Sequence, residues 1–120
     1  MTEILRLYPE PSMQCALEGL YLAENLHRMG SSDRPFVYAN FISSLDGRIA
    51  LIDPGDGKSR VPGELTSLND WRLFQELQAQ ADCFITHGAY LRTLAEGRLD
   101  DILQVGTKPE SADLLAWRKG

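Results

Sequence analysis

The chain has 120 residues, 43% hydrophobic and 24% charged, the mix of one ordinary globular domain rather than a disordered tail or a fibrous repeat. A formal charge of −5 and a pI near 4.9 exclude a non-specific grip on nucleic acid, which depends on Lys and Arg neutralising phosphates. No hydrophobic run approaches the roughly 20 residues that span a bilayer, and the amino end lacks a signal-peptide layout, so no membrane association is expected and the expected setting is the cytoplasm.

Residues 1–33 read as a lead-in. A helical pattern through Ala16, Leu17, Leu20, Leu26 and Met29 is punctuated by Pro9, Pro11 and Gly30, with Ser12 as its candidate cap. Cys15 and Cys83 lie far apart without a CxxC or a nearby His pair, so both are expected as small buried apolar residues, with neither a disulfide nor a zinc site. His27 and His87 are likewise too separated for a metal pair, and no metal is expected.

Residues 34–120 read as a second unit. After Arg34-Pro35 comes the nearly unbroken apolar run 36–42, which predicts a central strand buried on both faces. Its one polar interior residue, Asn40, must then be a satisfied core amide or a ligand contact. Asp46-Gly47 predicts a tight turn, leading to a second strand over 48–52. The Gly- and Pro-rich stretch 53–63 predicts an irregular loop able to approach a ligand, with Lys58 and Arg60 as solvated charges or a phosphate attraction. Gly57-Lys58-Ser59 is not the end of a P-loop, because Ile52 stands where the first Gly belongs and Pro62 where the helix should begin.

Ser67 predicts a helix cap, with Asp70 in the first turn. Leu68, Trp71, Phe74, Leu77 and Ala81 recur every three or four residues, the pattern of an amphipathic helix laid over a sheet. Residues 83–86 predict a short strand, so the default is a right-handed crossover with parallel strands. A short helix from Gly88 closes near Gly97, and the tail 110–117 is weakly helical.

The order Arg34-Pro35-Phe36-Val37, then Ser44-Leu45-Asp46-Gly47-Arg48, then Gly57-Lys58-Ser59, the covering helix, and Gly88-Ala89 resembles the reductase domain of the bifunctional riboflavin-biosynthesis deaminase-reductases and their stand-alone pyrimidine-reductase relatives. The resemblance covers about residues 34 to 103. It implies an α/β, dihydrofolate-reductase-like three-layer sandwich, and hydride transfer from NADPH to a phosphoribosylamino-pyrimidine, with the protein positioning reactants for the cofactor's chemistry. Carried over by resemblance, Ser44 and Asp46 lie near the hydride path, and Ser43 lines the nicotinamide side. Gly88 and Ala89 let the backbone approach the dinucleotide, while Asn40, Ser59 and Arg48 border the substrate.

The chain departs from the family at Tyr90 and at Leu94-Ala95-Glu96-Gly97. It departs again at Gln78, where many relatives carry an Arg for the substrate phosphate and where Arg72 or Arg48 is the candidate replacement. The family's second half has no counterpart before Gly120. The expectation is therefore a fragment of a longer chain, or a short homologue completing its sheet in a homo-oligomer. The alternative function is a non-catalytic or regulatory homologue that keeps the scaffold and dimer surface.

Overall fold

The computed structural model describes residues 2–48, 50–57, 59–86, 88–98, 105 and 108–120. Helices and two small antiparallel sheets make up these residues, an α/β arrangement in the broad sense. None of their helices is long and apolar enough to cross a membrane.

The lead-in is a hairpin followed by two single helical turns. Strand β1 (Glu3–Arg6) pairs antiparallel with β2 (Met13–Ala16), Glu3 opposite Ala16 and Arg6 opposite Met13. Glu18 closes the base of this hairpin, its carboxylate accepting from the Thr2 N–H at 3.1 and 3.2 Å. Its own main-chain N–H, and next that of Thr2, hold the Glu18 carboxyl below the usual glutamate range. The expected helix through Ala16 and Met29, capped by Ser12, is thus replaced by a strand and 3₁₀ turns at Leu22–Glu24 and Leu26–Arg28. Two left-handed residues interrupt the helical path, Gly19 at φ +84° and Asn25 at φ +53°. A helix cannot run through either one.

Residues 36–42 carry no helix and no ladder partner, which corrects the expected central strand. Their nearly unbroken apolar run supplies a strand's pattern, but a strand exists only where a neighbour takes its N–H and C=O groups. Among the described residues none does, and Phe41 is 78% exposed. Residues 83–86 also stay outside any sheet, so the expected parallel crossover is absent here. Cys83 is exposed and Cys15 half-buried, contrary to the buried places expected of them.

The stretch expected as an irregular loop is instead a hairpin. Strand β3 (Leu51–Ile52) pairs antiparallel with β4 (Ser59–Arg60), shortening the strand expected over 48–52. The connection is stabilised by Asp53, whose side chain accepts from Gly55 N at 2.8 Å and whose carbonyl accepts from Gly57 N at 2.8 Å. Arg60 pairs with both Asp53 and Asp56. Of the two expectations for Arg60, a solvated charge or a phosphate attraction, the hairpin shows neither a free charge nor a phosphate partner but a half-exposed guanidinium paired with two carboxylates; Lys58 lies outside the described residues.

Helix α1 (Leu68–Gln80) starts where expected: the Ser67 side chain accepts from Asp70 N at 3.1 Å, satisfying one of the helix's open donors. Helix α2 (Gly88–Ala95) ends at Gly97, whose φ of +67° stops it, and helix α3 (Ala112–Lys119) occupies the tail. The carboxyl end of α1 has no glycine cap. Arg118 of α3 takes that place, its Nη1 donating to the carbonyls of Gln78, Ala79 and Ala81 at 3.3, 3.0 and 2.7 Å, where a cation also complements the helix dipole.

The face that α1 buries is not the expected one. Gln75, Glu76, Gln78, Ala79 and Gln80 are buried, while Leu68 is 84% exposed and Trp71, Phe74 and Leu77 are half-buried. A small core of Ala79, Val105 and Leu114, with Leu22 against it, joins α1 to α3 and the lead-in. Glu76 and Gln80 of this polar face find main-chain partners there, whereas Gln78 Oε1 is buried with none among the described residues. Trp71 and Phe74 pack largely on each other, ring centroids 5.6 Å apart.

The α1–α3 junction carries a charge link. Arg72 donates from Nε to Glu76 at 3.0 Å and bidentately to Asp113 at 2.8 and 2.6 Å. Chiefly through its bond to Asp113, and despite burial, Arg72 holds its proton more firmly than usual. Arg72 in turn pulls the Asp113 carboxyl below the ordinary aspartate value of 3.8. A carboxyl with a depressed folded-state pKa stabilises fully above its unfolded value and loses that contribution as pH falls through the folded one. Urea midpoints of the parent and of Asp113→Asn should therefore differ at about pH 6 and draw together as pH falls below the ordinary aspartate value of 3.8. A gap that stays constant with pH would mean that the carboxylate's charge contributes nothing.

Candidate functional site

The turn at residues 44–48 closes on itself. Gly47 N donates to Ser44 O and Ser44 N to Arg48 O, both at 2.9 Å. Gly47 sits at φ +81°, a conformation that costs glycine nothing and a side-chain-bearing residue about 1 kcal/mol or more. The expected Asp46-Gly47 turn is therefore present.

The side chains make a second ring inside this turn. Ser44 Oγ accepts from Arg48 N at 3.2 Å and donates to Asp46 Oδ1, while Asp46 Oδ2 faces Arg48 Nε at 3.2 Å. The Asp46 and Arg48 side chains are 59% and 67% exposed, so their pairing contributes at most about 1 kcal/mol to stability. Its consequence is orientation: a carboxylate and a guanidinium are held side by side with open edges.

Ser44, Asp46 and Arg48 line a cleft of about 240 Å³ together with Ala50, Leu51, Pro62, Glu64 and Leu65. A neighbouring cleft of about 370 Å³ shares Leu51 and Pro62 and lies along the β3–β4 hairpin. Chemically, the first cleft offers an acceptor and a forked donor to a small polar molecule, with apolar side chains also in its lining. Sites for drug-sized ligands occupy about 300–1,000 Å³. A single ring or a phosphate group suits this cleft, and a dinucleotide does not.

Of the residues expected to act together, the fold unites three: Ser44, Asp46 and Arg48. Ser43 and Asn40 are exposed on the preceding segment and line neither cleft; Asn40 is accordingly not a core amide. Ser59 stands opposite Ile52 in β4, and its side chain lies outside the described residues, as does His87. Gly88 and Ala89 open α2, exposed and apart from both clefts. A side chain at Gly88 would meet nothing nearer than the flexible end of Arg92 at 3.4 Å, so no close backbone approach demands glycine there. Neither of these two clefts is lined by Ser43, Gly88 or Ala89.

Two placements went unread in the sequence. Glu64 and Leu65, in the same cleft lining as Asp46, carry no motif, and their place there comes from a 3₁₀ turn at Gly63–Leu65. Arg72, a candidate for the substrate phosphate, is committed instead to Glu76 and Asp113. Its spacing of four from Glu76 was the signal that could have shown this. No protein-family model matches the chain, and neither a curated protein nor a solved structure does.

Proposed function

We propose that the chain carries the first half of a cytoplasmic, NADPH-dependent reductase acting on a phosphoribosylamino-pyrimidine in riboflavin biosynthesis. One observation carries this reading: the Ser44-Leu45-Asp46-Gly47-Arg48 motif forms a closed turn whose carboxylate and guanidinium face a ring-sized cleft. In this reading Asp46 orients and exchanges a proton with a sugar or ring hydroxyl, and Arg48 attracts the substrate's phosphate. In this reading Ser43, Gly88 and Ala89 border the NADPH, as the resemblance implies, and the second half of a dihydrofolate-reductase-like fold completes the site. Pairing with that half, on the same polypeptide or in a homo-oligomer, would turn residues 36–42 into a sheet strand.

Titration followed by NADPH fluorescence distinguishes the outcomes, using this chain and the full translation product of its reading frame. Binding by the full product supports the reductase; no binding by either supports a non-catalytic homologue. In a product that turns over, Asp46→Asn should lower the rate about a hundredfold, the modest end of acid–base catalysis. Because Asp46 is exposed, stability should stay within about 0.5 kcal/mol. A thermal shift with unchanged turnover would reduce Asp46 to a turn former.

A further inference from the structure

Two side chains of α1 hold the segment 19–28, and they do so by its main chain. The Glu76 carboxylate, 0% exposed, accepts from Gly19 N at 2.5 Å and from Tyr21 N at 2.9 Å. One turn further along, Gln80 accepts from Leu26 N and donates to Tyr21 O, both at 2.8 Å. Among the described residues, two side chains of this segment reach the body: Leu22 packs on the core, and the His27 ring lies edge-on to Trp117 of α3, centroids 5.1 Å apart. Within itself the segment is weak: two three-residue 3₁₀ turns without side-chain caps, joined by Asn25 in the left-handed region. Such a segment has no stability of its own to contribute.

The body beneath it is tied together independently. Arg72 links α1 to Asp113, Arg118 caps α1, and Leu114 packs on Ala79, none of which uses residues 19–28. If the segment leaves, Glu76 keeps Arg72 as its partner, and Gln80 keeps its own bond to Glu76 O at 3.3 Å. The exposed helix face is then polar and compatible with water. Downstream, Tyr38 pins the chain back onto α1, its hydroxyl donating to Leu77 O at 2.7 Å. Burial, and next the charge of Asp82, raises the Tyr38 pKa, so the donor persists well into alkaline solution.

We propose that residues 19–28 form a latched strap, with Glu76 and Gln80 as its latch, that opens from α1 as a unit while the α1–α3 pair stays folded. Local opening of this kind occurs where few apolar contacts and many polar ones hold a segment. Tyr38 bounds the opening, keeping the strap's movement from reaching the Ser44–Arg48 turn.

Native-state hydrogen exchange on the whole chain tests this. The amides of Gly19, Tyr21 and Leu26 should exchange together, faster than those of residues 72–80, and with little dependence on urea. Glu76→Gln preserves shape but puts a donor where an acceptor is needed, and should speed Gly19 and Tyr21 about tenfold more than it speeds the amides of α1, whose Arg72 pair it also breaks. Gln80→Ala should speed Gly19, which it does not touch, because the strap opens as one. A common rate and urea dependence for strap and α1, or strap rates indifferent to both substitutions, would overturn the proposal. The unsubstituted protein decides the first point even if a variant fails to fold.

Discussion

Replacing Arg72 with alanine is expected to destabilise the chain by about 3–5 kcal/mol, the usual cost of leaving a buried charge without its partner. Glu76 is 0% exposed, and Arg72 is its only cationic contact among the described residues. The Gly19 and Tyr21 amides would remain as donors, but they carry no net charge to offset the carboxylate. For a protein of ordinary marginal stability this is a large fraction of the whole. Asp113→Ala removes the other end of the link, yet its side chain is 60% exposed, so about 1 kcal/mol or less is expected. Urea denaturation of both variants at near-neutral pH reads the difference, as a shifted midpoint at unchanged slope. Equal losses would mean that burial of Glu76 is not what makes Arg72 matter.

Leu114→Ala should cost about 2–5 kcal/mol, the range for truncating a fully buried leucine. Leu114 is 0% exposed and belongs to a core whose other buried members among the described residues are Ala79 and Val105, with Leu22 packed against it. The loss removes an apolar contact that seats α3, so the Arg118 cap on α1 should loosen with it. Thermal unfolding should show a drop in Tm of about 8 °C or more. Leu68→Ala is the control: Leu68 is 84% exposed, and its loss should stay within about 0.5 kcal/mol. The hydrophobic periodicity taken alone makes the opposite forecast, ranking Leu68 as a core residue of an apolar helix face.

That contrast shows where sequence reasoning succeeds and where it stops. The start of α1 was legible at Ser67 and Asp70, because a cap is closed by residues three apart. The Asp46-Gly47 turn was legible because Ser44 and Arg48 close it within five residues. The stops at Gly97 and at the end of α2 were legible because glycine alone takes φ +67° at no cost. The candidate site was legible to the same extent: Ser44, Asp46 and Arg48 belong to one local turn. The rest of its lining, Glu64 and Leu65, was not.

Everything that depends on a distant neighbour was decided by the tertiary structure. Residues 36–42 and 83–86 have strand-like sequences, but a strand's hydrogen bonds go to other chain segments, and the described residues provide none. The hairpin at Leu51–Arg60 formed where Gly and Pro argued for an irregular loop, because Asp53 organises its turn and Arg60 closes it with two carboxylates. Helix α1 turned its polar side inward since Glu76 and Gln80 satisfy main-chain groups 54 to 59 residues away in sequence. By itself the sequence determined where α1–α3 and the Asp46 turn form, since their bonds close over short separations. Which faces are buried, and which extended segments become strands, only the assembled chain decided, because burial and pairing are properties of two surfaces and a sequence pattern describes one.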